Sequence, residues 1–263
     1  MNKSVNEIAK DLGLVELSFN EIFVLSDSEK EKIQQFSEKG ICIEPELLRE
    51  HLEYAGKRCC LYESLLNYHE EVIAKTLEEI KKNAFSSYAP EKWLTILQTH
   101  RNIYEMMGYL TLLQMDAITT TICLLQAQND TERIMLSKHA YTIIYEARIN
   151  DLSKKVSKEM RLYPNEVVNI QELSDFWKNI NSILKQIMDI EFAKEIRNNI
   201  DAHKNNSFLR QITLYRECQW AESIIYLSIF TKLVDLIQDY MNIINNNMKK
   251  VYNKYKTDIK EYI

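Results

Sequence analysis

The sequence predicts an all-α protein. The chain has 263 residues with only 4 Gly and 3 Pro, whereas a sandwich, a β-barrel or a Rossmann domain of this length needs more turn residues. Apolar residues recur at three-and-four spacing along most of the chain, and strand-like alternation never extends beyond a few residues. About six or seven helices follow, several over about 25 residues long, and the expected architecture is an up-and-down bundle.

The first predicted helices lie in the N-terminal third of the chain. The segment Ser26–Ser28 offers N-cap oxygens, and Gly40 marks the end of the helix that follows. Pro45 suits the first turn of a second, long helix, because the N–H that proline lacks has no helical partner there. That helix is expected to end near Asn83.

The middle of the chain predicts two more helices. Pro90 is a helix start, and the apolar spacing continues through Gly108 to about Gln126. The sequence Asn129–Thr131 is a break and a cap. The next helix is expected to run from there to about Met160.

The last third begins with an apolar stripe from Gln171 to about Asp201, and its segment Trp177–Met188 is expected in the core. Asn205–Ser207 is predicted to be a loop and N-cap. A final long helix follows, and Asn245–Asn247 is expected to interrupt it. We therefore expect an N-terminal helical extension at 1–89, a main bundle at 90–246 and a polar tail at 247–263, with 84–89 as the first boundary.

Charge and cysteine content exclude several classes of protein. The net charge is −5, so no strong global field attracts nucleic acid; residues 1–90 carry 11 basic and 17 acidic side chains. The chain has five cysteines but no C-x-x-C motif, which fits neither a disulfide framework nor a zinc site.

No apolar signal core opens the chain, and the longest apolar stretches are far short of the ~18 residues that span a bilayer. We expect a soluble cytoplasmic protein that does not bind a membrane.

Sequence motifs for common cofactors are absent. The chain has no G-x-G-x-x-G, no P-loop, no H-E-x-x-H and no E-x-x-H pair. We therefore expect neither a cofactor nor a metal.

The polar segment Glu195–Lys204 lies at the end of the apolar stripe and contains the candidate catalytic residues. Arg197 is followed at once by Asn198, and His203 comes six positions after the arginine. This arrangement resembles the R-x(4–6)-H motif of the HEPN superfamily, whose commonest form begins with Arg-Asn. The resemblance implies an all-α, often dimeric domain, and many such proteins are metal-independent ribonucleases of toxin or phage-defence systems.

The resemblance covers about ten residues and their helical context. The same spacing occurs a second time, in Arg133 and His139, but that pair lacks the asparagine and is expected in the middle of a helix.

The residue types suit RNA cleavage without a metal, in which the 2′-OH attacks the adjacent phosphorus. His203 titrates near neutrality and can move protons. Arg197 stays charged and can donate two hydrogen bonds to phosphate oxygens. Asn198 is expected to orient or contact the phosphate, and Lys204 and Arg148 to bind the RNA substrate.

The spacing of Arg197 and His203 favours a homodimer. Six residues on an ideal helix rise about 9 Å and turn about 240°, so the two side chains of one chain point apart unless the helix breaks. Two copies around a two-fold axis bring both pairs into one cleft. Asp201, inside the motif, weakens phosphate binding unless it pairs with Lys204 or orients His203.

Other interpretations of the sequence remain open. The chain is alternatively a catalytically inactive HEPN-like binding or scaffold protein, with an antitoxin or immunity-type partner, which the acidic N-terminal part favours. It is also compatible with a helical protein unrelated to HEPN. The motif itself is alternatively a capped helix end, with Arg197 paired to Glu195 or Asp201. Glu146, close to Arg148, is either part of a surface ion pair or a polar contact near an active site.

Overall fold

The computed structural model describes residues 45–82, 90–147, 168–187, 190–198, 208–218 and 220–260, and the single positions 151, 154, 158 and 161. Of these residues 94% are helical and none lies in a strand, which confirms the all-α prediction. The helices are α1 (Pro45–Lys81), α2 (Pro90–Gln126), α3 (Asp130–Glu146), α4 (Ile170–Ile187), α5 (Ile190–Ile196), α6 (Phe208–Glu217) and α7 (Trp220–Lys260).

Some sequence predictions fall outside the described residues and stay predictions. They are the helix after Ser26–Ser28, the loop at Asn205–Ser207 and the domain boundary at 84–89.

The predicted helix starts are confirmed where the structure describes them. Helices α1 and α2 begin at Pro45 and Pro90. Asn129 caps α3, because its Oδ1 accepts a hydrogen bond from the backbone N–H of Glu132 at 3.0 Å. The Glu132 side chain in turn accepts from the backbone N–H of Gln128 at 2.8 Å. The first bond satisfies a donor that a helix leaves free at its N-terminus, and the second ties the residue before the cap to the first turn, in a variant of the capping box.

Three predicted helices differ from the structure, one in its end and two in their continuity. Helix α3 ends at Glu146 rather than near Met160, the stripe expected to reach Asp201 is divided into α4 and α5, and the last region is divided into α6 and α7. The end of α3 has no Gly or Pro, and the residue after it, Ala147, is fully buried. Tertiary packing rather than local sequence therefore sets this end.

The expected interruption at Asn245–Asn247 is also wrong, because α7 continues through these residues to Lys260. The side chain of Asn245 is buried and donates from Nδ2 to the hydroxyl of Tyr104 on α2 at 2.7 Å. Met248, one turn further on, is buried as well. These tertiary contacts offset the low helix propensity of asparagine, which costs at most about 0.7 kcal/mol per residue.

The bond between Asn245 and Tyr104 gives a first testable prediction. We expect Asn245→Ala to unfold with a free energy about 1–3 kcal/mol smaller than Asn246→Ala, because only the first change leaves the buried Tyr104 hydroxyl without its donor. Asn246 is an exposed neighbour on the same helix, so both variants gain the same helix propensity. Urea unfolding followed by circular dichroism measures the difference. Equal stability of the two variants would contradict the structural role of Asn245.

The described residues form two compact units. The first unit takes the described residues within 1–56, 112–148 and 179–234. In its core, Leu48 of α1 packs on Ile118 and Ile122 of α2. Helix α3 packs against α5 and α6.

The second unit takes the described residues within 57–111, 149–178 and 235–263. Phe176 stacks on Tyr240 with ring centroids 4.2 Å apart, and Trp177 beside it is 3% exposed. The buried Gln238 donates from Nε2 to the hydroxyl of Thr111 at 2.6 Å. The buried positions of α4, including Leu173 and Trp177, confirm the predicted apolar stripe in the region that the structure describes.

Helix α2 is long and apolar enough to cross a membrane between Leu94 and Gln126, judged by length and composition. Within the window that passes this test, 56% of the residues are buried inside the protein. A buried core helix has the same composition.

Candidate active site

The structure describes two of the five predicted site residues. Arg197 and Asn198 lie directly after α5. His203, Lys204 and Arg148 lie outside the described residues, so their roles stay predictions.

Helix α5 is short and is positioned by its buried face. Ala193 and Ile196 are fully buried, and Phe192 contacts Tyr141 of α3 edge to face with ring centroids 5.1 Å apart. Arg197 and Asn198 continue the chain in a wider π-helical turn. Such turns occur frequently at functional sites, and here the turn places two polar side chains at the end of an otherwise anchored helix.

The guanidinium of Arg197 is held by a carboxylate of another helix. Its Nε donates to Oε1 of Glu146, the last residue of α3, at 2.7 Å. The two side chains are 29% and 31% exposed, so this charge-assisted bond is partly shielded from water. Glu195 does not pair with Arg197; it accepts instead from Nε of Arg210 on α6 at 2.8 Å. The alternative in which Arg197 pairs with Glu195 is therefore wrong. The alternative pairing with Asp201 stays untested, because Asp201 lies outside the described residues.

Among the described residues, only Glu146 and Asn198 accept hydrogen bonds from the Arg197 guanidinium. Nη1 donates to Oδ1 of Asn198 at 3.3 Å, and no residue in the described ranges accepts a hydrogen bond from Nη2. Because Glu146 bonds to Nε, the Nη1–Nη2 edge still has donors for two oxygens of one phosphate. Glu146 thus orients the arginine, and Asn198 restrains it from the other side.

An open cleft of about 470 Å³ lies beside the motif. We call it the α5–α6 cleft, and its lining comprises Glu191, Phe192, Lys194, Glu195, Asn198, Arg210 and Glu217. Its volume is within the range of small-molecule sites. Asn198 belongs to both features, since it lines the cleft and also accepts from Arg197.

The charges of the α5–α6 cleft are mostly paired. Lys194 donates to Glu191 at 3.2 Å on the exposed side, and Arg210 bonds to Glu195. The hydrogen bond to Glu195 raises the pKa of Arg210, so this side chain is a permanent cation. Glu217 is exposed and forms no hydrogen bond or ion pair with any residue that the structure describes, although its charge also raises the pKa of Arg210.

The second sequence match, Arg133 and His139, has a structural explanation. Arg133 lies in the first turn of α3, where it bonds to Asp130 at 3.2 Å and stacks over the ring of Trp220 at 4.8 Å. His139 is exposed within the same helix. The arginine of this pair therefore stabilises the start of α3.

Cys218, which follows the cleft residue Glu217, is an unsuitable nucleophile. Cys218 is buried at the end of α6, and burial raises its pKa to about 12. At neutral pH it is a thiol, whereas nucleophilic attack needs the thiolate. In the ranges that the structure describes, no group of three His, Cys, Asp or Glu side chains could hold a metal ion.

Comparison of the chain with protein-family models, with curated proteins and with solved structures found no match. Sequence reasoning singled out Glu146 without identifying its partner, and it missed Arg210 and Glu217. The contact between Glu146 and Arg197 joins residues 51 positions apart, so no local pattern could reveal it. Arg210 and Glu217 are charged residues near helix ends, which are too common to indicate a site.

Proposed function

We propose that the chain is a metal-independent endoribonuclease of the HEPN type, acting in a toxin or phage-defence system. The observation that carries the proposal is the oriented guanidinium of Arg197. It has a carboxylate on its Nε side, Asn198 beside Nη1, and further donors beside an open cleft. A fork of this kind suits the negative charge that develops on a phosphate during cleavage.

The proposed reaction breaks one P–O bond by internal transfer. The 2′-oxygen attacks the adjacent phosphorus, its proton passes to a base, and the 5′-oxygen leaves as a hydroxyl after it receives a proton. The products are a 2′,3′-cyclic phosphate and a 5′-OH end. His203 would move these protons, and Arg197 would stabilise the charge on the non-bridging oxygens.

A second function is favoured by the charge of the same region. Three carboxylates line the α5–α6 cleft against two cations, and Glu146 partly compensates the charge of Arg197. An acidic lining repels phosphate. This observation favours the alternative, a HEPN-like binding or scaffold protein without catalysis, whose partner is another protein such as an antitoxin.

The reaction itself is the test that separates the two functions. We expect the purified chain to cleave single-stranded RNA in the presence of excess EDTA, because the proposed chemistry uses a histidine and an arginine only. Mass spectrometry should find 2′,3′-cyclic phosphate ends, and a substrate with a 2′-deoxy sugar at the cleavage site should stay intact. Cleavage that EDTA stops and Mg²⁺ restores would contradict the mechanism.

A matched pair of variants excludes a contaminating nuclease. His203→Ala, purified in the same way, should lack the activity, with a loss of about 10²–10⁴-fold expected for a general acid–base group. His139→Ala, which removes the exposed histidine of the second sequence match, should cleave like the wild type. Equal activity of both variants would assign the cleavage to a contaminant or to another site, and absence of cleavage in the wild type would favour the scaffold function.

A further inference from the structure

We propose that the α5–α6 cleft binds a nucleobase of single-stranded RNA, with guanine preferred, and thereby selects the nucleotide whose 3′-phosphate is cleaved. This inference rests on the proposed function, because it places that phosphate on Arg197. It assigns to Glu217 and Phe192 the recognition of the base.

Asn198 connects the cleft to the motif. Asn198 lines the cleft while its Oδ1 accepts a hydrogen bond from Nη1 of Arg197 at 3.3 Å. A group in the cleft is therefore separated from the phosphate-binding edge of the arginine by a single side chain. A base and the 3′-phosphate of the same nucleotide are also separated by one short unit, the ribose.

The lining chemistry favours a base over a second phosphate. Glu191, Glu195 and Glu217 outnumber the cations of the cleft, and carboxylates accept hydrogen bonds while they repel phosphate. Glu191 and Glu195 bond to Lys194 and Arg210. The carboxylate of Glu217 is the acceptor that has no hydrogen-bond or ion-pair partner in the described ranges.

A carboxylate discriminates between the four bases by their donors. The Watson–Crick edge of guanine presents two neighbouring donors, N1–H and the N2 amino group, which match the two oxygens of one carboxylate. Adenine and cytosine present one amino donor beside an acceptor, and uracil presents one N–H between two acceptors. Single-stranded RNA offers these edges because its bases are unpaired.

Phe192 supplies the apolar side of the proposed base site. Phe192 lines the cleft, and its ring meets the ring of Tyr141 edge to face at 5.1 Å and 90°, which restrains its orientation. A restrained aromatic ring is a stacking surface that any base can use. Stacking then provides affinity, and Glu217 provides the choice between bases.

The first measurement is equilibrium binding of guanosine 3′-monophosphate and uridine 3′-monophosphate to the full chain by calorimetry. We expect the guanosine nucleotide to bind roughly tenfold more tightly, since hydrogen bonds to a charged group discriminate by at least this factor. Glu217→Gln should remove most of that difference, because the amide has one acceptor where the carboxylate has two. Glu50→Gln, the same change at an exposed position of α1, is the matched control and should bind like the wild type.

The second measurement is cleavage of DNA strands that carry one ribonucleotide, either G, A, C or U. We expect the highest kcat/KM at G, and we expect Glu217→Gln to reduce this preference while cleavage persists.

Cleavage without preference in both proteins would overturn the inference and leave the ribonuclease function intact. Glu217-dependent binding of guanosine 3′-monophosphate in a chain that cleaves no RNA would support the base site and reject the ribonuclease. Nucleotide binding that Arg197→Ala abolishes and Glu217→Gln leaves unchanged would show phosphate recognition alone, which overturns the inference.

Discussion

Arg197→Ala is expected to lower kcat/KM for RNA cleavage by about 10²–10³-fold, the loss typical of removing one preorganised donor to a developing negative charge. The effect should appear in kcat more than in KM, because the fork stabilises charge that is greatest in the transition state. Single-turnover cleavage of a labelled oligonucleotide measures it. Arg49→Ala is the matched control, since Arg49 is an exposed arginine of α1 in a surface ion pair with Glu46, and this variant should retain full activity.

Arg197→Lys separates the geometry of the arginine from its charge. Nε of Arg197 donates to Glu146 at 2.7 Å, and Nη1 donates to Asn198. A lysine has a single nitrogen, so when it bonds to Glu146 it has no second nitrogen with which to donate to the phosphate. We therefore expect the lysine variant to recover little of the lost activity. A lysine variant as active as the wild type would reject the two-oxygen contact, and an alanine variant that stays active would reject the site altogether.

The fold class and most helix starts could be predicted from the sequence because they depend on local chemistry. Pro45 and Pro90 begin helices for a reason that lies within one turn, and Asn129 caps α3 with its own side chain. The continuation of α7 through Asn245–Asn247 depends on Tyr104, which is 141 positions away from Asn245. Local propensity alone could only predict a break there.

The candidate site also has features that the sequence could predict and features that it could not. The motif predicted Arg197 and Asn198 as a pair, and the structure places their side chains in contact at 3.3 Å. The motif could not predict that Glu195 would pair with Arg210 and that Arg197 would pair with Glu146. From the sequence alone, both Glu195 and Asp201 were candidate partners for Arg197. The outcome depends on how α5 packs against α3, which no local pattern specifies.

The proposed dimer gives the second prediction with a large expected effect. We propose that one composite site takes its arginine from one chain and its histidine from the other, as the resemblance to the HEPN superfamily implies. The structure fixes Arg197 at the end of α5, where the buried residues Ala193 and Ile196 anchor the helix and leave the polar turn at the surface. In a two-fold dimer the same surface serves both chains, so each dimer has two composite sites.

Mixing two inactive variants tests this arrangement. Arg197→Ala and His203→Ala homodimers should both be inactive, but a heterodimer keeps one site with an intact arginine and an intact histidine. If the chains pair at random, half of the dimers are mixed and about a quarter of the wild-type activity should return. Co-expression with two affinity tags isolates the heterodimer, whose activity should then be about half of the wild-type value. The control pairs Arg197→Ala with the double variant Arg197→Ala/His203→Ala, which contains no intact arginine and should stay inactive. A mixed dimer without activity, or a monomer that cleaves RNA at micromolar concentration, would show that each chain has its own complete site.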